Sequence, residues 1–414
     1  MDKKNILIIS YVFPPYPGIG GRRWAKFAKY LHRKGHNVYV IAAQNPYKEI
    51  STFINDIKEL PRENLIYLPP KYPSVLFKYP DNILEKFQYS FWVRVLPFFV
   101  RGNYYDRSAF WKTQLSEYVE KLVISKKIDT IIVTGPPFNL VYENVRLKEK
   151  YPDIQFIVDY RDEWTFNDIH GFGLLNDKRK KVEYKREKYV CENADLVVSC
   201  VEGIINYLNV RYKIKNSLLL QHGFDKDDFS NVSENTFNSK IIISYAGTID
   251  DYAEFFFYQL NLFLDQLKEK NRDLYEKIHF HFYLFENFKY TDVIKNHIEK
   301  FNFTYKLPTN KALEKMGQSN YIFILVTKDS EKDYFTTKYP EIFYLKKPII
   351  LYSEKGKVSE YITQNNIGIH LPKENFYEVL VDALNNPQKF SYTSFNLEQW
   401  NYEYLTNQLI NSLK

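Results

Sequence analysis

The chain has 414 residues, 45% of them hydrophobic and 26% charged, which are the proportions of a globular protein with more chain than one core can use. Its two cysteines, Cys191 and Cys200, stand at no metal-like spacing and argue against a disulfide framework, reading instead as buried thiols of a reducing compartment. The net charge of +7 is uneven, with 36 Lys+Arg against 27 Asp+Glu in residues 1–230 and 21 against 23 in the remainder. A basic first half points to an anionic partner, and without a helix-turn-helix, zinc-finger or aromatic-basic signature that partner is expected to be a membrane surface or a phosphate-bearing acceptor, not nucleic acid. No apolar stretch is long enough to span a bilayer, and the opening Met1–Ser10 is too soon broken for a signal peptide, so a cytoplasmic protein is expected.

Taken in chain order, short apolar runs alternate with helical periodicity. Residues 5–10 read as a buried strand, and 21–34 as a helix with Trp24, Phe27, Ala28 and Leu31 on one face. Strands follow at 38–43, 130–134, 155–159, 196–199 and 217–220, with helices near 110–126, 138–150, 177–193 and 201–209. The polar stretch 223–240 breaks the pattern and is expected to link two domains, 1–225 and 226–395. The second set has strands near 241–246, 279–284, 321–326 and 348–352, and a last helix over 397–413 is expected to return to the first domain, bringing 396–414 with it. This is an α/β chain with two doubly wound parallel sheets, expected to face a central cleft.

Three segments stand apart from the repeating pattern. In residues 333–341, DYFTTKYPE, two carboxylates flank what reads as a helix start, with Thr336 and Thr337 as hydroxyl caps and Lys338 adding positive charge where a helix N-terminus favours anions. A phosphate at the cap, Glu341 one turn on and Asp333 just before suit a ligand that is part diphosphate and part polyol. An ordinary surface helix can begin the same way. The loop 11–23, with Gly18, Gly20 and Gly21 ahead of Arg22 and Arg23, allows close backbone approach to an anion, or forms a structural turn. It is no dinucleotide fingerprint, because its glycines lie too far past the strand and no acid ends the second strand. Residues 87–112 are dense in aromatics and spaced arginines. Phe91, Trp92, Val95, Phe98 and Phe99 with Arg94, Arg101 and Arg107 read either as a membrane-interface wedge or as a helix buried on the core. The lysine run 178–188 reads as a solvated helix face that could also touch anionic lipid.

Several of these motifs, in their order, resemble glycosyltransferase family 4. The N-terminal part of the resemblance lies in Pro14-Pro15 with Gly18, Gly20 and Gly21, then Trp24 to Leu31, Gly35-His36 and Val38. It continues through Gly135-Pro136-Pro137, Asp159-Tyr160-Arg161-Asp162-Glu163-Trp164, Ala194-Asp195 and His222-Gly223-Phe224-Asp225. Tyr245-Ala246-Gly247, then Lys338 and Glu341 followed by Lys347-Pro348, carry it through the second half. The resemblance implies a GT-B fold of two Rossmann-like domains and transfer with retention from a nucleotide sugar to a glycan or lipid-linked acceptor, in surface-polysaccharide assembly at the inner face of the membrane. It implies no cofactor and no metal held by the protein. Glu341 would bind the ribose, Asp333 the donor sugar as a catalytic acid of the motif, and Gly20, Gly21, Gly247, Thr336, Thr337 and Lys338 the diphosphate. Asp162 would orient the acceptor hydroxyl, with Arg161, Pro136 and His222 on the acceptor side; an Arg161–Asp162 pair that only fixes the loop is the equal alternative. The chain departs from the family in having neither Arg nor Lys after Gly247, so Lys338, Arg22 or Arg23 would supply that charge; Asp stands at 333 for Glu, and His at 222 for Asn. An epimerase of the same fold and a silent nucleotide-binding scaffold are the two alternative functions.

Overall fold

The computed structural model describes residues 3–166, 168–230, 232 and 240–414. The chain divides into two compact units, 1–221 with 402–414, and 222–401. Part of the expected linker, residues 231 and 233–239, lies outside the described residues.

The first unit runs β1 (Asn5–Ser10), α1 (Arg22–Arg33), β2 (Asn37–Ala43), β3 (Leu65–Leu68), α2 (Ile83–Phe99), α3 (Lys112–Lys126), β4 (Thr130–Gly135), α4 (Phe138–Val145), β5 (Gln155–Tyr160), α5 (Asp177–Asn193), β6 (Leu196–Ser199), α6 (Glu202–Arg211) and β7 (Ser217–Leu219). All seven strands are parallel, in the order β3-β2-β1-β4-β5-β6-β7. Strand side chains alternate between two helix-covered faces: Ile6 and Ile8 pack with Trp24, Phe27 and Leu31 of α1, while Leu7 and Ile9 pack with Trp111 and Phe138.

The second unit runs β8 (Ile241–Gly247), α7 (Glu254–Lys270), α8 (Arg272–Lys277), β9 (Ile278–Leu284), β10 (Phe301–Tyr305), α9 (Thr309–Gly317), β11 (Tyr321–Leu325), α10 (Lys338–Leu345), β12 (Ile349–Tyr352), α11 (Lys357–Gln364), β13 (Gly368–Leu371) and α12 (Phe376–Asn385). Its six parallel strands lie in the order β10-β9-β8-β11-β12-β13. The last helix, α13 (Tyr402–Ile410), belongs to the first unit, where Tyr402 meets Phe27 edge-on at 5.2 Å and Lys34 pairs with Glu403 at 2.8 Å.

In each sheet the strand order reverses once, between β1 and β4 and between β8 and β11. Doubly wound sheets bind ligands outside the carboxyl ends of the strands at such a switch point. The glycine loop follows β1, Pro136 follows β4, Gly247 ends β8, and α10 follows the loop after β11.

Helix α2 is not the buried helix that one reading of its sequence offered. Leu96 is its one fully buried residue, anchored beside Tyr72, Phe77 and Val100 with Trp92 partly packed against them, and the outward face of the helix stands at the surface.

Candidate functional site

In the second unit, the site grows from a glycine. Gly247 has φ +143°, and a Cβ added there would lie 2.2 Å from Lys338 Nζ, so glycine both tolerates the backbone and makes room for the ammonium. Lys338 opens α10 and places Nζ 5.3 Å from the Tyr245 ring centroid. Burial lowers its pKa, opposed by the charges of Glu341 and Glu331. Glu341 is buried one turn further along α10. Across the switch point Thr327 donates to Asp250 at 2.6 Å, tying the loop after β11 to the loop after β8.

Two expectations at this helix are corrected. Thr337 makes no side-chain cap, because its φ −56° and ψ −21° are already helical and a cap needs extended backbone to aim its oxygen at the next turn. Thr336 bonds through its backbone, accepting from the Tyr339 amide at 3.2 Å, and no hydroxyl cap forms there. Asp333 has a structural partner that the sequence did not disclose: its Oδ1 accepts the Lys357 amide at 2.7 Å at the start of α11.

In the first unit, Gly20, Pro136, Arg161 and Asp162 line one cavity of about 890 Å³. Six tyrosines from five segments (Tyr11 and Tyr16, then Tyr47, Tyr72, Tyr89 and Tyr105) make much of its wall. The Tyr11 hydroxyl is buried with no hydrogen-bond partner. Asp162 lies 3.3 Å from His170 Nε2. Burial acts to raise the Asp162 pKa, but the hydrogen bond and charge of His170 and the charge of Arg161 outweigh it and hold the carboxyl below its ordinary value. An ionised carboxylate at the cavity rim can accept a hydrogen bond from a sugar hydroxyl, though a depressed pKa makes it a weak base.

The arginines are spent elsewhere. Arg161 Nη1 donates to the Gly20 carbonyl, Nη2 to the Pro136 carbonyl at 2.5 Å and Nε to the Gly135 carbonyl at 3.3 Å, so its fork clamps the two loops of the switch point together. Arg22, expected at the donor, is buried over Phe53 and 3.7 Å from Asp56. Arg23 is buried against Asp159, which also accepts Trp24 Nε1 at 2.6 Å and Thr134 Oγ1 at 2.8 Å. Of the three candidates for the charge beside Gly247, Lys338 is therefore the one that touches it. Gly21 is needed for packing, since a Cβ there would come within 2.9 Å of the Val12 carbonyl. His222 opens the second unit and is not among the residues lining the tyrosine cavity. A second hollow, of about 950 Å³, lies at the amino ends of β8, β11 and β12, the opposite end from that used for ligands in such sheets.

No protein-family model and no curated protein matches the chain. Among solved structures it is similar to the sucrose-phosphate synthase of Thermosynechococcus elongatus, with TM-score 0.62, 13% identity and coverage of 99% of this chain and 98% of that one. It is also similar to the N-terminal domain of trehalose-6-phosphate phosphatase from Candida albicans, with TM-score 0.61, 12% identity and coverage of 100% and 99%. The UDP-GlcNAc 2-epimerase of Neisseria meningitidis, solved with UDP-GlcNAc bound, follows at TM-score 0.51, 9% identity and coverage of 100% and 99%. At such identities the likeness establishes the fold, and that fold is GT-B.

Proposed function

We propose that the protein is a retaining glycosyltransferase that moves a sugar from a nucleotide-diphosphate sugar to a glycan or lipid-linked acceptor in surface-polysaccharide assembly. The observation that carries the reading is the start of α10, where Lys338 Nζ lies against Gly247 and Glu341 follows one turn on, at the switch point of the second sheet. A diphosphate at that helix start meets an ammonium and the positive end of the helix, and Glu341 offers the paired acceptors that ribose hydroxyls need. The positive charge comes from the chain itself, so the reading calls for no protein-held metal. The full-length likeness to a sucrose-phosphate synthase and to an enzyme holding UDP-GlcNAc agrees with a nucleotide-sugar donor.

In the first unit the tyrosine cavity takes the acceptor, with Asp162 orienting its hydroxyl and Arg161 acting as a positioning residue that holds both loops. The donor C1–O bond to the diphosphate breaks while a new C1–O bond forms to the acceptor oxygen on the same face. The acceptor's proton passes to the leaving diphosphate, whose growing charge Lys338 and the helix amides stabilise.

The test is nucleotide release from a panel of nucleotide sugars, with and without a lipid-linked acceptor. Release that depends on acceptor supports transfer. The second reading, an epimerase, is favoured by the Neisseria meningitidis likeness and predicts altered or free sugar with no acceptor present. Glu341→Ala is expected to weaken donor binding by about 1.5–3 kcal/mol, the worth of hydrogen bonds to a charged group, and unchanged affinity in calorimetry would remove the ribose assignment.

A further inference from the structure

We propose that the outward face of α2 docks on an anionic lipid bilayer and sets the tyrosine cavity at the membrane surface. This deepens the acceptor half of the preceding reading and rests on it only for what enters the cavity. Ile83, Phe87, Phe91, Arg94 and Phe98 recur at spacings of four, four, three and four, which puts them on one stripe of a helix. That stripe faces solvent: Phe87 is 71% and Phe98 85% exposed, with Leu84, Phe99 and Tyr79 exposed beside it. So many large apolar side chains in one exposed patch mark an interaction surface.

Charge identifies the occupant. Between residues 71 and 112 there are seven Lys or Arg against three Asp or Glu. Asp81 and Glu85 are engaged by Lys78 at 2.9 and 3.1 Å, and Asp106 binds the Ser108 and Asn139 amides. Among the described residues, exposed Lys86, Arg94 and Arg101 have no acidic partner. Arg179 on α5 ties the end of α2 down by donating to the carbonyls of Pro97, Val100 and Gly102. Beyond Arg179, α5 exposes Lys178, Lys181, Lys185 and Lys188, again on one helical stripe. Aromatic apolar side chains among unopposed cations suit an interfacial helix on anionic lipid, where Arg94 can extend its head to the phosphates.

The opposite side of α2 makes the link to the cavity. Tyr89, Val93 and Leu96 point inward and line it, so a surface bound by the outer stripe lies one helix diameter from the cavity wall. An amphiphile could then keep its tail in the bilayer while its head group reaches Asp162.

The experiment is flotation of the full chain with vesicles of phosphatidylcholine alone or with added phosphatidylglycerol, at low and high salt. Light scattering gives the oligomeric state, and Trp92, the tryptophan of α2, adds an emission signal. The wild type is expected to float with anionic vesicles, less so in high salt. Phe87→Ser/Phe91→Ser/Phe98→Ser should lose binding at least about tenfold, given the apolar area withdrawn from lipid, and Lys86→Gln/Arg94→Gln/Arg101→Gln should lose it on anionic vesicles. Both variants are expected to melt with the wild type because the changed side chains face solvent; Phe87→Asp alone repeats the test should the triple variant unfold. A wild type that does not float overturns the proposal. So do apolar-face variants that float equally well, or a wild-type dimer that the triple variant turns into monomers with vesicle binding unchanged. Vesicle binding is read without any donor, so its failure is separable from failure of the transfer reaction.

Discussion

At Lys338 a positive charge is kept where burial disfavours it, with Glu341 and Glu331 opposing that effect. An incoming diphosphate would favour the protonated amine, so binding should draw a proton at alkaline pH. The sign follows: donor affinity is expected to fall as pH rises through the lowered Lys338 pKa, and Lys338→Met should bind more weakly and lose that alkaline dependence. Calorimetry in buffers of different ionisation enthalpy measures both effects. Asp159 poses the reverse case, a carboxylate wholly buried against Arg23, Trp24 and Thr134. Asp159→Ala strands the Arg23 guanidinium in the core and should cost about 3–5 kcal/mol in urea unfolding, enough to compromise a domain of ordinary stability. The placements that were legible in the sequence were those that follow from local spacing: Lys338 and Glu341 on one helical turn, Gly20 and Pro136 in loops after strands, Asp162 just past the end of β5. Arg22, Arg161 and Asp333 were not, because their partners lie far along the chain: Asp56 for Arg22, the Gly20 carbonyl 141 residues from Arg161, the Lys357 amide 24 residues from Asp333. Only the folded chain shows that these groups are already engaged. The tyrosine wall was hidden for the same reason, since its members come from five separate places.

The interior strands were readable as continuous apolar runs because parallel strands are covered on both faces. The strands that escaped the sequence reading, β3, β10 and β13, are all edge strands. They are only partly buried, so Phe301–Tyr305 and Gly368–Leu371 mix Asn, Thr and His among apolar residues and show no such run. Helix α5 illustrates a different limit. Its lysines face outward as the sequence suggested, but Glu183 and Glu187 turn inward, where Glu183 takes Trp164 Nε1 and the Asn103 amide at 2.9 Å each. Glu187 accepts from Thr165 and from Tyr212 at 2.9 Å through one oxygen, while the other is buried without a partner. Burial raises its pKa from 4.5 to about 7, against the pull of those two hydrogen bonds. The folded state therefore holds a proton that the unfolded chain releases. Stability from this group is full below the unfolded value near 4.5 and declines as pH rises toward 7. Glu187→Gln should flatten the pH dependence of the unfolding free energy across that window, and denaturant titrations at several pH values would measure the slope.

At the scale of the whole chain, the sequence-distant return of α13 decides how the molecule responds to truncation. Tyr402, Leu405, Leu409 and Ile410 are buried in the same core as Phe27, Trp24 and Leu31, so the first unit draws part of its interior from beyond the entire second unit. Gln155 reinforces the join by donating to the Ser412 carbonyl at 2.9 Å, and Lys414 reaches Asp195 at 3.0 Å. Burying four such side chains contributes about 6–12 kcal/mol, comparable with the total stability of a domain, whereas an exposed terminal ion pair contributes little. Ending the chain after Asn401 should therefore unfold or nearly unfold the first unit and leave the second with its own core of Phe256, Phe280, Ile322 and Ile349. Hydrogen exchange can tell the two apart within one sample: protection should collapse across β1, β4 and β5 and persist across β8, β11 and β12. Equal loss in both sheets would mean that the second unit depends on the first to stay folded, and retained protection in the first sheet would mean that α13 is an ornament on a core already complete without it.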